Sequence, residues 1–167
     1  MTTEGVRCTC EQHSHGELGV VEDGERVARV VTSPNHIRKN GALKPGTFPK
    51  SHIAQSGLSL IRVDHMNVAS IETVSEAIAG TKAGEALKGI AMCKAESLRS
   101  ITDEGTTDRS LCVVDDPVFD DPNMLDNPAH AIAIKSAEQD EAEILRIQGL
   151  LLDLFSEVTT IAFVHEG

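Results

Sequence analysis

After the turn-like EDGE at 22–25, the run RVARVVT places Val27, Val30 and Val31 close together, and these β-branched residues predict a first strand. At 57–64, GLSLIRVD alternates Leu58, Leu60 and Arg62 with Ser59, Ile61 and Val63, which predicts a second strand buried on at least one face. SIETVSEAIAG changes the period: Ile71, Val74 and Ile78 share a helical face, Ser70 is placed to cap the start, and Gly80 stops the helix. EALKGIAMCKAESLRSI fits both periods, and the alternation of Ala91, Cys93, Ala95 and Ser97 favours a strand from about 90 to 100.

SLCVVDD (110–116) and HAIAI (130–134) are apolar runs of strand length, and TTIAFVH ends the pattern as a final strand. From Ser136 the chain predicts a long helix. Ser136 and Gln139 suit a capping box, and Glu138, Asp140 and Glu141 suit the positive end of the helix dipole. Ile144, Ile147, Leu151, Leu154 and Val158 form the apolar stripe. Leu145, Leu150 and Leu152 widen that stripe, so the helix is either well covered or offers a surface for a second copy or another protein. Strands and helices mix without a regular βαβ repeat. The expected fold is therefore α+β: a single domain over 26–167 with a mixed or mostly antiparallel sheet, a long C-terminal helix at about 136–158, and a polar N-terminal appendage over 1–25.

Composition sharpens this picture. With 167 residues, one domain is the natural size, and the core must be aliphatic because the chain has four Phe and no Trp or Tyr. Scattered Phe48, Phe119, Phe155 and Phe163 do not make a base-stacking platform. No apolar run reaches signal-peptide or membrane-spanning length, so a cytoplasmic protein without membrane contact is expected, and its four cysteines are expected to be thiols or ligands with no structural disulfide.

The net charge of −11 disfavours generic binding to nucleic acid or anionic membranes, but it hides an asymmetry. From Arg26 to Arg62 there are seven basic residues and no acid, whereas Ile101 to Leu145 holds twelve acids against Arg109 and Lys135. The plainer account is that the two halves neutralise each other; the sharper one is that the basic segment holds an anionic ligand. Within it, SPNHIRKNGALKPGTFPKSH is a long loop without period, rich in Pro, Gly and Asn, and long loops are often functional.

Two constellations carry candidate chemistry. In CTCEQHSH, Cys8, Cys10, His13 and His15 are zinc-ligand types, with zinc the candidate cofactor. Their pairs are too close for all four to wrap one ion, and Cys93 or Cys112 could complete the set. The second gathers His36, His130 and Arg62 as candidate catalytic residues, with Arg38, Lys39, Lys44 and His52 as ligand contacts. Arginine holds phosphate with a planar fork and histidine transfers protons near neutral pH. The acidic loop DDPVFDDPNMLDNP could offer oxygen ligands, but it lacks the EF-hand order and reads as a solvated turn.

GxxxxGK[ST], GxGxxG, HExxH, GxSxG and CxxC are all missing from the chain. A PD-(D/E)xK nuclease is also excluded at Lys135, since the place two residues before it is Ala133. The expected function is binding of a phosphate-bearing ligand such as a nucleotide or nucleic-acid end, with action on that ligand left open. The alternative is a non-enzymatic adaptor using the C-terminal helix or the acidic loop.

Overall fold

The computed structural model describes residues 7–166. Its frame is one antiparallel sheet of six strands in the order β4-β5-β2-β1-β3-β6, formed by β1 (Arg26–Ser33), β2 (Leu58–Arg62), β3 (Ala86–Lys94), β4 (Leu111–Asp115), β5 (His130–Lys135) and β6 (Val158–Thr159). The expected α+β class holds. Three helices flank the sheet: α1 (Val68–Ala79), the short α2 (Ala95–Arg99) and α3 (Glu141–Leu154).

Alternation along the strands makes two cores. Val27, Val31, Leu58, Leu60, Val113 and Ala131 meet Ile147, Leu151 and Phe155 from the α3 side, whereas Ala28, Val30, Ile61 and Ile90 meet Ile71 and Val74 of α1 on the other face. Phe48 of the long loop is fully buried in the first core, with its ring 5.1 Å from that of Phe155.

Several boundaries differ from the sequence expectation, each for a local reason. Helix α1 is capped by Asn67, whose side chain accepts from Ser70 N–H at 2.8 Å, so Ser70 lies inside the first turn. Helix α3 starts after Asp140, because Ser136 Oγ bonds the Arg109 carbonyl and Gln139 Nε2 donates to the Ser110 carbonyl; both capping-box residues are spent on the strand beside them. The strand expected to run to about 100 ends at Lys94, where Ala95 N–H and Glu96 N–H donate to the Glu25 and Asp23 carbonyls and the chain turns into α2. The C-terminal strand is only two residues long and passes into a 3-10 turn at Ile161–Phe163. It pairs with β3 at Ile90 and Ala91, and at the neighbouring Gly89 an added Cβ would lie 2.5 Å from the Thr159 carbonyl oxygen.

The polar segment before β1 packs along the sheet edge at β4. Glu11 accepts from Val113 N–H at 2.6 Å, His15 N–H donates to Asp115, and Cys8 is joined to Cys112 by a disulfide. The expectation of no disulfide is thus overturned: the segment folds back so that a cysteine 104 positions away comes within 5.2 Å, Cα to Cα. Cys8 is thereby removed from the expected thiolate set with Cys10, His13 and His15.

The apolar arc of α3 is mostly used internally. Leu150, Leu152 and Leu154 pack against the core, and Leu145, at 58% exposure, is the one large apolar residue of the helix left in solvent. No helix among the described residues is long and apolar enough to cross a membrane.

Candidate functional site

The two central strands separate soon after they meet. The β1–β2 ladder consists of Val27↔Arg62 and Ala28↔Ile61 alone, although β1 is eight residues long. Continued in register, Val30 would face Ser59. Instead, Arg29 reaches into the gap, where Nη1 donates to the Ser59 carbonyl at 3.0 Å and Nε to the Thr47 carbonyl at 2.9 Å. His36 caps the same strand, its Nδ1 accepting from Thr32 N–H at 3.1 Å. Polar side chains therefore satisfy backbone groups that a longer ladder would have paired.

This split opens into a cavity of about 310 Å³ bounded by β1, β2, α1 and the loops around residues 36–52 and 123–130. Its walls are largely aliphatic, with Val30, Ile61, Val74 and Ile78 among them, and its ionisable lining is wholly basic: Arg29, Lys82, His36, His52 and His130. Few convergent polar groups in an apolar concavity are the usual make-up of a small-ligand site.

Arg29 is the most unusual of these residues. No carboxylate among the described residues pairs with it, and Nη2 has no protein partner there. Burial pushes its pKa down to about 10, since the charge is held among protein atoms without a counter-ion. It nevertheless retains some accessible surface, as expected of a side chain on a cavity wall. Burial, together with the positive charges of Arg29 and Lys82, also lowers the pKa of His36, with Glu85 opposing; His52 is lowered by burial and the same two charges.

The histidines are set in defined tautomers. Because His36 Nδ1 accepts a backbone N–H, the neutral ring carries its proton on Nε2. His130 is the reverse: Nδ1 lies 2.7 Å from the Asp116 carbonyl oxygen, which can only accept, so the proton is on Nδ1 and the neutral Nε2 presents a lone pair. Asp116 Oδ2 lies 3.2 Å from the same Nδ1. His130 Nε2 and His52 Nδ1 are buried without protein partners among the described residues.

Of the residues singled out in the sequence, His36, His52 and His130 meet in this cavity, and Arg62, Arg38, Lys39 and Lys44 do not line it. Arg62 is fully buried and has no donor to spare. Nε bonds Glu25, Nη1 bonds Asp115 and the Gly19 carbonyl, and Nη2 bonds Glu25 and the Val20 carbonyl, which accounts for all five N–H groups. The expectation that Arg62 holds an external anion is therefore corrected: it ties the N-terminal segment to the sheet. Arg38 and Lys39 are exposed at the tip of the loop, and Lys44 Nζ donates to the Pro34 carbonyl at 2.8 Å. Sequence reasoning did not single out Arg29 or Lys82, and it took Asp116 only as a carboxylate of the acidic loop, not as the partner of His130. Arg29 alone left a signal, as a cation inside an otherwise apolar strand.

A separate group stands at the β4 edge, where ligand atoms of Cys8, Glu11 and Cys112 all lie within 4.8 Å of one another, an arrangement able to hold a metal ion when the sulfurs are free. Cys10, His13 and His15 are exposed on the same N-terminal segment. No protein family, curated protein or solved structure matches the chain.

Proposed function

We propose that the cavity between α1 and the split strands binds a small phosphate-bearing molecule, with the phosphate against Arg29 and the apolar or sugar portion along Val30, Ile61, Val74 and Ile78. The observation that carries this reading is the buried Arg29 guanidinium, which has hydrogen-bond capacity left over and no carboxylate to neutralise it. Lys82 supplies a second positive charge, and His36 contributes a fixed Nε2–H donor. An ester monomer fits better than a nucleic-acid end. The lining contains no Phe, Tyr or Trp to form a base-stacking platform, and the acidic loop carrying Asp120, Asp121 and Asp126 beside the cavity would repel a polyanion.

The same arrangement supplies a base. Asp116 and its carbonyl orient His130 so that Nε2 can take a proton from water or from a ligand hydroxyl, the division of labour seen wherever a carboxyl group fixes a catalytic imidazole. Phosphate-ester cleavage is the reaction this supports.

Calorimetric titration with inorganic phosphate and with glycerol phosphate, at constant ionic strength, tests the binding. Arg29→Met should weaken both by at least about tenfold, the cost of one charge-assisted hydrogen bond. Arg38→Met and Lys39→Met should leave them unchanged. Equal affinity for wild type and Arg29→Met would refute the reading.

The non-enzymatic alternative retains one observation in its favour: the acidic loop exposes Phe119 (55%), Leu125 (49%) and Met124 (41%), a surface suited to a basic partner. It requires that Phe119→Ser, Leu125→Ser remove partner binding while phosphate has no affinity for the cavity.

A further inference from the structure

We infer that Cys8, Cys112 and Glu11 form a redox-gated zinc site, closed as a disulfide when oxidised and able to take one divalent zinc ion when reduced. This site is independent of the cavity. Its geometry comes from two unrelated parts of the chain. Cys112 is fixed in edge strand β4 at 2% exposure, while Cys8 precedes the 3-10 turn at Thr9–Gln12 that covers that edge. Glu11 lies in the turn, so its carboxylate and both sulfurs fall within 4.8 Å of one another.

Tetrahedral zinc with bonds of about 2.3 Å sets two thiolate sulfurs roughly 3.8 Å apart, farther than bonded sulfurs. The movement required falls on Cys8, whose segment is attached mostly by side-chain bonds and belongs to no sheet ladder. Glu11 can serve both states. Oε1 takes the Val113 N–H and the Arg109 guanidinium, leaving Oε2 with a single Arg99 contact at 3.3 Å. Two thiolates and one carboxylate make three protein ligands, and the fourth position is left to water.

The chemistry balances with a dithiol as the reductant. Its two electrons and two protons cleave the Cys8–Cys112 bond to two thiols while the dithiol closes to its own disulfide. Zinc then displaces both thiol protons into solvent, with no further change in oxidation state. In either closed form the N-terminal segment is stapled to β4, so the metal replaces the covalent bond as the fastener.

Cobalt titration of the full chain tests this directly, because thiolate ligands give cobalt a charge-transfer absorption that oxygen and nitrogen ligands do not. Protein reduced with dithiothreitol, freed of excess reductant and kept anaerobic should bind one cobalt per chain with that absorption, and zinc should displace it; oxidised protein should show none. Cys8→Ser and Cys112→Ser should each lower affinity by at least about 100-fold, a ligand loss exceeding the effect of outer-sphere changes. Cys93→Ser and the His13→Ala, His15→Ala double variant should bind as wild type. Cys8→Ser changes a residue outside the sheet, so it remains informative if Cys112→Ser misfolds. Reduced wild type without the thiolate absorption, retention of that absorption in Cys8→Ser, or its loss in the double-histidine variant would each overturn the assignment.

Discussion

Replacing Arg62 with Met removes the cation that neutralises two carboxylates at the centre of the structure. The Asp115 side chain is wholly buried and that of Glu25 is 11% exposed, so neither can recover its hydration without local unfolding. Breaking a buried pair from one side costs about 3–5 kcal/mol. Exchanging both partners for uncharged groups costs far less, because no charge is then stranded. At about 2–4 °C per kcal/mol for a chain of this size, Arg62→Met should lower Tm by roughly 6–20 °C, and adding Asp115→Asn should restore part of the loss. Calorimetry or circular dichroism melts of wild type, both single variants and the double variant give the coupling energy. At temperatures where Arg62→Met remains folded, its phosphate affinity should match wild type. A Tm within about 3 °C of wild type, or a selective loss of phosphate binding, would refute the structural role given to Arg62.

Other consequences follow from single residues. Burial alone would raise the Glu25 pKa, but hydrogen bonds from Arg62 and His65 hold it below its ordinary 4.5. A depressed carboxylate pKa gives stability that is fully present above about pH 4.5 and lost as pH falls through the folded value, so melts in acid should show a fall that Glu25→Gln flattens. His36 and His52 are shifted down from 6.5 and are therefore mostly neutral at pH 7. A bound dianion favours their charged forms, so sulfate, which does not titrate near neutrality, should bind more tightly at pH 6 than at pH 8 with measurable proton uptake. Gly57→Ala should cost about 2–4 kcal/mol in denaturant titrations, since its φ is +84° and a Cβ would meet Ile132 at 2.6 Å. Burial pushes the Cys93 thiol up to about 12, so native oxidised protein treated with iodoacetamide near pH 8 should be alkylated at exposed Cys10, and at Cys93 only after unfolding, as mass spectrometry would read.

Much of the fold was legible because apolar alternation reports burial directly: β1, β2, β4 and β5 lie where Val, Leu and Ile alternate or cluster. Short or strongly contextual elements were not. Helix α2 is only five residues long, with Leu98 its one large apolar side chain, and its strand-like alternation is overridden by backbone bonds to Asp23 and Glu25. Three histidines of the cavity were marked by residue type, but which cation joins them depends on long-range partners. Glu25 lies one position before the acid-free stretch and, with distant Asp115, consumes Arg62. Arg29, the cation inside an otherwise apolar strand, was left facing the cavity by the early divergence of β1 and β2, which its position in the sequence does not disclose. The Cys8–Cys112 bond spans 104 positions, a pairing that spacing alone does not specify.

The claim at the centre of this account is that positive charge converges on the cavity beside the split strands. The most direct test follows the histidine ring proton resonances by NMR while inorganic phosphate is added at fixed pH and ionic strength. The account predicts that His36, His52 and His130 shift together with a single midpoint, and that Arg29→Met abolishes the response. Shifts confined to the exposed His13 and His15, with the three cavity histidines unmoved, would contradict it.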